Sequence, residues 1–354
     1  MQAALAKAVG SSIIAGSGAY YACKLAAISS TALTAALTTA GAFSGLLLYA
    51  RYWIQGYWFD RRFTASADLT GKVVLVTGGT VGGLGFAAAK IFADLGATVI
   101  VTVRSKAKGE ECVQRLGPRS TYEIIDFLSL ASVRAGADRI RANQSRCDFL
   151  VLNAGVGNGD PAKIWMANHV GPFEFTEQLR PLLDATARAH GEVRVCAVSS
   201  GAHKRASIHW NDPFAPPKTG DGFAGAYGQS KLAQIMHMRA LQARMRSAAG
   251  LEGEQSVRCV AVTPGFAFTN ITVGGGVPTP MIPLLWLLAR SAHVGAQVIK
   301  MACLDPTLPG GSYLSNCYIK PSEGKDGVSL RPDEWERCWE TTLQSVKKAE
   351  VSFP

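Results

Sequence analysis

The chain has 354 residues, enough for one large domain or two small ones with a full hydrophobic core. Hydrophobic residues make up 48% and charged residues 18%, a balance that excludes a disordered polar chain. The net charge of +10 comes from scattered basic residues with no run of five, so no nucleic-acid partner is expected. A negatively charged membrane surface is a more natural partner.

The first 59 residues contain no acidic residue and only three basic ones, Lys7, Lys24 and Arg51. The stretch from Leu25 to Ala50 is uncharged and long enough to cross a bilayer of about 30 Å. The sequence RYWIQGYWFDRR follows it, and its aromatic and arginine residues favour a membrane interface on the cytoplasmic or matrix side. We therefore expect residues 1–62 to anchor the chain in the endoplasmic reticulum or mitochondrial membrane.

Other interpretations of this segment remain open. A second span forms a hairpin with the first if Ala8 to Tyr21 also inserts. An N-terminus poor in acidic residues and rich in Ser and Ala is also typical of a cleaved targeting peptide. A helix that packs against protein is the third alternative.

From Gly71 onward, short β-branched runs alternate with helical stretches. KVVLVTG and TVIVTVR are predicted strands around a predicted helix, GFAAAKIFADLG, and further strand candidates are YEIIDF, CDFLVLNAG, EVRVCAVSS and VRCVAVTPG. Most of these runs are continuously apolar, as in strands covered on both faces. The pattern predicts an α/β fold over residues 63–354: a doubly wound parallel sheet (Rossmann fold) in a single domain.

A glycine-rich turn, TGGTVGGLG, connects the first predicted strand to the first predicted helix. In such sheets this turn binds pyrophosphate on backbone amides, and glycines leave room for the phosphates. Gly79, Gly83 and Gly85 have a G-x3-G-x-G spacing, but Gly78, beside Thr77, lies one residue too early. We expect a working nucleotide loop with an altered turn. Its candidate residues are Gly78, Gly79, Gly83, Leu84 and Gly85.

The end of the second predicted strand indicates which nicotinamide cofactor binds. An acidic residue there would hold the ribose 2′-hydroxyl of NAD, whereas an arginine suits a 2′-phosphate. Here the strand ends at Arg104, and lysines follow. The sequence therefore favours NADP(H) over NAD(H). No metal is expected, because the eight cysteines form no CxxC pair and the histidines no HExxH motif.

Four signals that carry chemistry follow in order: LNAG at Leu152 to Gly155, Asn168, Ser199-Ser200, and a Tyr227-x3-Lys231 pair. The last spacing places both side chains on one helix face. A nearby ammonium stabilises a phenolate and moves its pKa towards neutrality. The serine hydroxyl can hold the substrate oxygen.

With these motifs the chain resembles the short-chain dehydrogenase/reductase family, and more closely its retinol-dehydrogenase-like branch, from about Gly71 to Lys348. The resemblance implies that Tyr227 is the general acid/base and Lys231 its ribose-binding, pKa-lowering partner. It also implies that Ser200 orients the substrate and that Asn168 holds a proton-relay water. Asn153, Ala154 and Gly155 would line the cofactor, Asp126 and Phe127 would lie beside its adenine, and Pro264, Gly265 and Thr269 beside its nicotinamide.

The resemblance also implies a function: a membrane-anchored NADP(H)-dependent oxidoreductase that interconverts a hydrophobic alcohol and its carbonyl, such as a retinoid, a steroid or another lipid. The apolar segment Val277 to Arg290 is expected to cover the substrate, although a core or oligomer contact explains it equally well. The long insert from His203 to Gly225 is expected to line the entrance.

A second hypothesis is an accessory subunit of a larger membrane assembly, for example a mitochondrial respiratory complex, that holds a nucleotide with little or no turnover. A scaffold that uses the fold only for contacts is a third. The sequence leaves open whether the chain is a homodimer or part of a larger membrane complex.

Overall fold

The computed structural model describes residues 30–58, 63–216, 225–249, 257–269, 279–322 and 324–353. The chain divides into two compact units: residues 1–60 with 280–289, and residues 61–279 with 290–354. The predicted domain over 63–354 includes residues 280–289, which the structure groups with the N-terminal segment instead.

The elements are as follows in chain order. The strands are β1 Val73–Val76, β2 Thr98–Val103, β3 Ser120–Ile124, β4 Phe149–Leu152, β5 Val193–Val198, β6 Val257–Thr263, β7 Ala267–Phe268, β8 Arg290–Ser291, β9 Tyr313–Ser315 and β10 Tyr318–Ile319. The α-helices are α1 Ser30–Trp58, α2 Leu84–Asp94, α3 Lys106–Leu116, α4 Leu130–Asn143, α5 Pro161–Trp165, α6 Gly171–His190, α7 Ala226–Ala249, α8 Ile282–Leu288, α9 Ala292–Leu304 and α10 Pro332–Ser352. A π-helical turn, Met166–Val170, connects α5 to α6.

The larger unit is built on a sheet with the strand order β10-β9-β6-β5-β4-β1-β2-β3. All neighbours are parallel except β9 and β10. The chain runs outward from β1 in one direction and from β4 in the other, so these two strands form the switch point where such sheets bind ligands. The predicted Rossmann-type parallel sheet is confirmed.

Both faces of this sheet are covered, which explains the continuous apolar runs in the strands. Leu75 of β1 packs in a core cluster with residues of α4, α6, α7 and α10. Its neighbours Val74 and Val76 point to the other face and pack with residues of α2, α3 and α9. Alternate residues of one strand therefore serve two separate hydrophobic layers.

The smaller unit contains α1 and α8. The guanidinium of Arg51, in α1, lies over the ring of Trp286, in α8, with its carbon 4.3 Å from the ring centre. No helix in the described ranges is both long and apolar enough to cross a bilayer. The predicted membrane span is therefore not confirmed; its first residues and the second candidate span, Ala8 to Tyr21, lie outside the described residues.

Candidate active site

The glycine turn lies at the carboxyl end of β1 and leads into α2. Thr102, on the neighbouring strand β2, fixes its start: the Gly78 amide donates to Thr102 Oγ1 at 3.1 Å and the Gly79 amide to the Thr102 carbonyl at 3.0 Å. The sequence interpretation missed Thr102, because a buried threonine inside a strand gives no separate signal.

Close packing explains why glycines occupy the turn. A Cβ at Gly79 would lie 2.5 Å from the side chain of Val101, and one at Gly85 would lie 2.4 Å from Asn153 Nδ2. Gly82 has a φ of +82°, in the left-handed region where only glycine is unstrained. The helix α2 begins directly after Gly83, its N-cap residue.

The first turn of α2 is built to receive an anion. Gly83 caps the helix in an extended conformation, and no side chain caps its N-terminal amides. The first amides of a helix have no partner within it and carry partial positive charge. With the backbone brought close by the glycines, these amides fit the pyrophosphate of a dinucleotide.

The LNAG segment supports the turn from behind. Both the Asn153 and Ala154 amides donate to Thr77 Oγ1 at 2.9 Å, and Asn153 Nδ2 donates to the Thr77 carbonyl at 2.9 Å. A Cβ at Gly155 would lie 2.9 Å from Asn168 Oδ1. Asn153 and Ala154 therefore fix the start of the glycine turn, and Gly155 leaves room for the Asn168 side chain.

The two predicted adenine-side positions differ in kind. Asp126 is exposed, and its Oδ1 accepts a hydrogen bond from the Leu128 amide at 3.0 Å. Phe127 is buried and packs edge-to-face on Phe175, with ring centres 5.5 Å apart. Its side chain therefore belongs to the core. Arg104 is exposed directly after β2.

Tyr227 and Lys231 begin α7 and face the carboxyl end of β5. The Tyr227 hydroxyl shares a hydrogen bond with the Ser200 side chain. Lys231 Nζ lies 5.5 Å from the centre of the Tyr227 ring and donates to the Val198 carbonyl at 2.9 Å. The structure thus brings the Ser200 hydroxyl to the phenol and the amine of a pair that lies 27 and 31 residues further along the chain.

Asn168 lies in the π-helical turn, which aims its side chain at the loop after β4. Its Oδ1 accepts from the Val156 amide at 2.7 Å, and its Nδ2 donates to the Val156 carbonyl at 2.9 Å. The same Nδ2 donates to Ser230 Oγ, which lies between Tyr227 and Lys231, at 3.0 Å. The side-chain amide of Asn168 therefore bonds to the loop after β4 and to α7. Its main-chain carbonyl is left to make a different contact.

Burial dominates the electrostatics of the cluster. Burial lowers the pKa of Lys231 to about 7, and no charged group among the described residues offsets the removal of water. Burial raises the pKa of Tyr227, and the hydrogen bond to Ser200 opposes that rise. The tyrosine is thus held as a neutral phenol, and the lysine titrates near neutral pH.

The loop after β6 contains the remaining predicted residues. Gly265 has a φ of +74°, and a Cβ there would lie 2.6 Å from the guanidinium carbon of Arg290. Arg290 is a buried arginine at the start of β8, which pairs with β7. Pro264 is partly buried, and a Cβ at Gly295 in α9 would lie 3.5 Å from the Pro264 Cβ. Thr269 is buried. This loop follows the carboxyl end of β6, at the same edge of the sheet as the glycine turn.

The arrangement combines an anion-binding helix start with a proton donor and acceptor pair. A dinucleotide fits the first part, and transfer of a proton to or from a substrate oxygen fits the second. Among the described residues, no three His, Cys, Asp or Glu side chains are grouped as metal ligands would be.

Comparisons with known proteins agree with this geometry. The family model described as short chain dehydrogenase matches residues 72–274. Dehydrogenase/reductase SDR family member 13 of Bos taurus is 31% identical over 78% of this chain and 73% of its own length. Retinol dehydrogenase 14 of Mus musculus is 32% identical over 70% of this chain and 78% of its own. The crystal structure of an uncharacterized protein from Mycobacterium Paratuberculosis superimposes with a TM-score of 0.63 at 27% identity, covering 81% of this chain and 98% of that one.

Proposed function

This chain belongs to the short-chain dehydrogenase/reductase family, in its retinol-dehydrogenase-like branch, and on that premise we propose that it is an NADP(H)-dependent oxidoreductase of hydrophobic alcohols and carbonyls. Members of this family bind nicotinamide cofactors and act on small substrates. The comparisons give no support to an accessory subunit without turnover.

One observation carries the proposal: Tyr227, Ser200 and Lys231 meet at the end of β5, next to the glycine turn. Ser200 lies within hydrogen-bonding distance of the Tyr227 hydroxyl, so both hydroxyls can bind one substrate oxygen. Burial holds Tyr227 as a neutral phenol, the form that donates a proton to a carbonyl oxygen. The ammonium of Lys231 stabilises the phenolate that remains.

The proposed preference for NADP(H) rests on the glycine turn and on Arg104. When bound, the nicotinamide exchanges a hydride with the carbon of the substrate. The turn formed by Gly78, Gly79 and Gly85 would hold the pyrophosphate, since each of these positions excludes a side chain. The exposed guanidinium of Arg104, at the end of β2, suits the 2′-phosphate of NADP(H).

The substrate class is proposed from two facts. Relatives of this chain carry the name retinol dehydrogenase, which points to a lipid alcohol. The segment around α8 exposes Met281, Leu284 and Leu288. Such a surface suits a retinoid, a steroid or a similar molecule taken from a bilayer.

We further propose that the smaller unit attaches the protein to the cytoplasmic or matrix face of an organelle membrane. On α1, seven large apolar or aromatic side chains are more than half exposed: Leu37, Phe43, Leu46, Leu48, Tyr49, Tyr52 and Trp53. Apolar patches of this kind mark membrane or protein contacts. In vesicle flotation, exchange of Leu46 and Tyr49 for Asp should abolish binding. The control Ile319→Asp removes an equally exposed apolar residue from β10 and should leave flotation unchanged.

The experiment that tests the enzymatic proposal uses the full chain. NADPH and NADH are titrated separately, with energy transfer from tryptophan to the reduced nicotinamide as the readout, and retinaldehyde is then added as a probe substrate. We expect saturable binding with NADPH the tighter ligand, and conversion of retinaldehyde to retinol. Binding of neither nucleotide would overturn the proposal. If a nucleotide binds but no retinoid, steroid or fatty aldehyde probe is converted, the proposed activity is refuted and the proposed cofactor site stands.

A further inference from the structure

A buried glutamine joins the catalytic lysine to the π-helical turn. Gln234 lies on α7, three residues after Lys231, and is only 2% exposed. Its Oε1 accepts a hydrogen bond from Lys231 Nζ at 3.1 Å, and its Nε2 donates to the Asn168 main-chain carbonyl at 2.6 Å. Both ends of the amide are therefore engaged.

The two partners determine the orientation of this amide. An ammonium can only donate hydrogen bonds, and a main-chain carbonyl can only accept them. The reversed amide would place its NH2 group against the ammonium of Lys231 and its oxygen against the Asn168 carbonyl. Gln234 thus forms a directional bridge with a single workable orientation.

We propose that Gln234 is a positioning residue that ties the Lys231 ammonium to the Asn168 carbonyl and so holds it beneath Tyr227. The inference rests on the proposed function. The family resemblance implies a relay water at Asn168; here the main-chain carbonyl of Asn168 accepts a hydrogen bond from a side-chain amide. An amide has no proton that titrates in the working pH range. The bridge therefore supports the charge on Lys231 without passing a proton onward.

The surroundings of Lys231 make each neutral acceptor matter. The groups facing its ammonium are the Tyr227 ring on α7, the Val198 carbonyl of β5 and Gln234 Oε1; Gly155 is close enough that a Cβ there would lie 3.6 Å from Nζ. None of them carries a full charge at neutral pH, and burial is the one cause of the lowered pKa of Lys231. Removing one acceptor should favour the neutral amine, and replacing it by a carboxylate should favour the ammonium.

The test compares two substitutions with opposite expected shifts. Gln234→Leu removes the acceptor, so the alkaline limb of the kcat/KM profile should move to lower pH by about one unit. Gln234→Glu keeps the shape and adds a negative charge, so this limb should move to higher pH by a similar amount. A residue with only a packing role would reduce activity at every pH and leave the limb in place.

Gln242→Leu is the matched control. Gln242 is another buried glutamine of α7 with both ends of its amide bonded, to the Cys259 amide and the Val257 carbonyl. Gln242 lies eight residues, or about two helical turns, beyond Gln234, and its substitution should lower stability without moving the pH profile. Unmoved limbs in both Gln234 variants, or limbs that move in the same direction, would overturn the proposal.

A second readout does not depend on turnover. Because the folded pKa of Lys231 is about 7, below its usual value, the unfolded chain binds more protons above that pH and stability should rise with pH. The rise should begin at lower pH in Gln234→Leu and at higher pH in Gln234→Glu. Chemical unfolding between pH 6 and 8.5 measures it in the same purified chains. If no substrate is turned over but these shifts occur, the proposed function fails and the role of Gln234 stands; if turnover is present and the shifts are absent, the reverse holds.

Discussion

The glycine turn and the catalytic cluster lie side by side, but they are built in opposite ways. The turn works through missing side chains: a Cβ at Gly79 or Gly85 would meet neighbouring atoms at 2.5 Å or less. The cluster works through present ones, since Asn168, Lys231 and Gln234 are nearly fully buried and bonded to each other or to backbone.

Because the two regions are built differently, substitutions should impair them in different ways. A single added methyl group should damage the turn at every pH, because steric overlap does not depend on protonation. The cluster should instead respond to changes of hydrogen-bonding group, charge and pH, because its lysine is buried with no charged partner among the described residues.

The largest effect is expected at the proton donor. Tyr227→Phe removes the hydroxyl bonded to Ser200, and turnover should fall by about 10²- to 10⁴-fold while NADPH binding persists. Steady-state kinetics and tryptophan energy transfer measure the two properties in one preparation. Tyr122→Phe, at a partly buried tyrosine of β3, is the control and should keep full activity. Equal loss in both variants would contradict the assigned role.

A smaller effect is expected in the turn. Gly85→Ala would place a methyl group 2.4 Å from Asn153 Nδ2 and 2.5 Å from the Gly78 carbonyl. The free energy of unfolding should fall by about 1–3 kcal/mol, and NADPH affinity should fall with it. Gly41→Ala adds the same methyl group where nothing lies within 4 Å and should cause neither loss. A Gly85→Ala protein that binds NADPH normally would show that the turn adapts.

The next effect is a pH dependence of stability in the chain without cofactor. Since burial lowers the pKa of Lys231 to about 7, the folded protein releases its proton at lower pH than the unfolded chain does. Above pH 7 the free energy of unfolding should therefore rise, by up to about 1.4 kcal/mol per pH unit. Lys231→Met removes the group, so the difference between the two unfolding profiles isolates it. Parallel profiles would show that Lys231 titrates normally.

The smallest effect is expected at Arg104. Its side chain is exposed, and an exposed ion pair is worth about 1 kcal/mol or less. Arg104→Ala should therefore weaken NADPH binding by about fivefold and leave NADH binding unchanged. Parallel titrations measure both, and the NADPH effect should shrink as salt is raised. A variant that weakens both nucleotides equally would argue against recognition of the 2′-phosphate.

The architecture and the family follow from local patterns in the sequence. Continuous apolar runs alternating with helical patterns are sufficient to indicate a parallel sheet, because both faces of each strand must be covered. The glycine turn follows the first run, and the Tyr227-x3-Lys231 pair is local, so helix geometry alone puts both residues on one face. The family model and the relatives confirm the predicted family. It could be predicted because each of its motifs is a short continuous stretch of sequence.

The residues that support these motifs are brought to them only by the folded structure. Thr102 meets Gly78 from 24 residues away, and Gln234 meets Asn168 from 66 residues away. No local pattern reports such pairs, because the register of β1 and β2 and the packing of α7 on the π-helical turn bring them together. The same holds for Phe127, whose motif predicts a place beside the cofactor while packing turns its ring into the core. Contacts of this kind depend on the folded geometry, and they set the charge on Lys231 through burial.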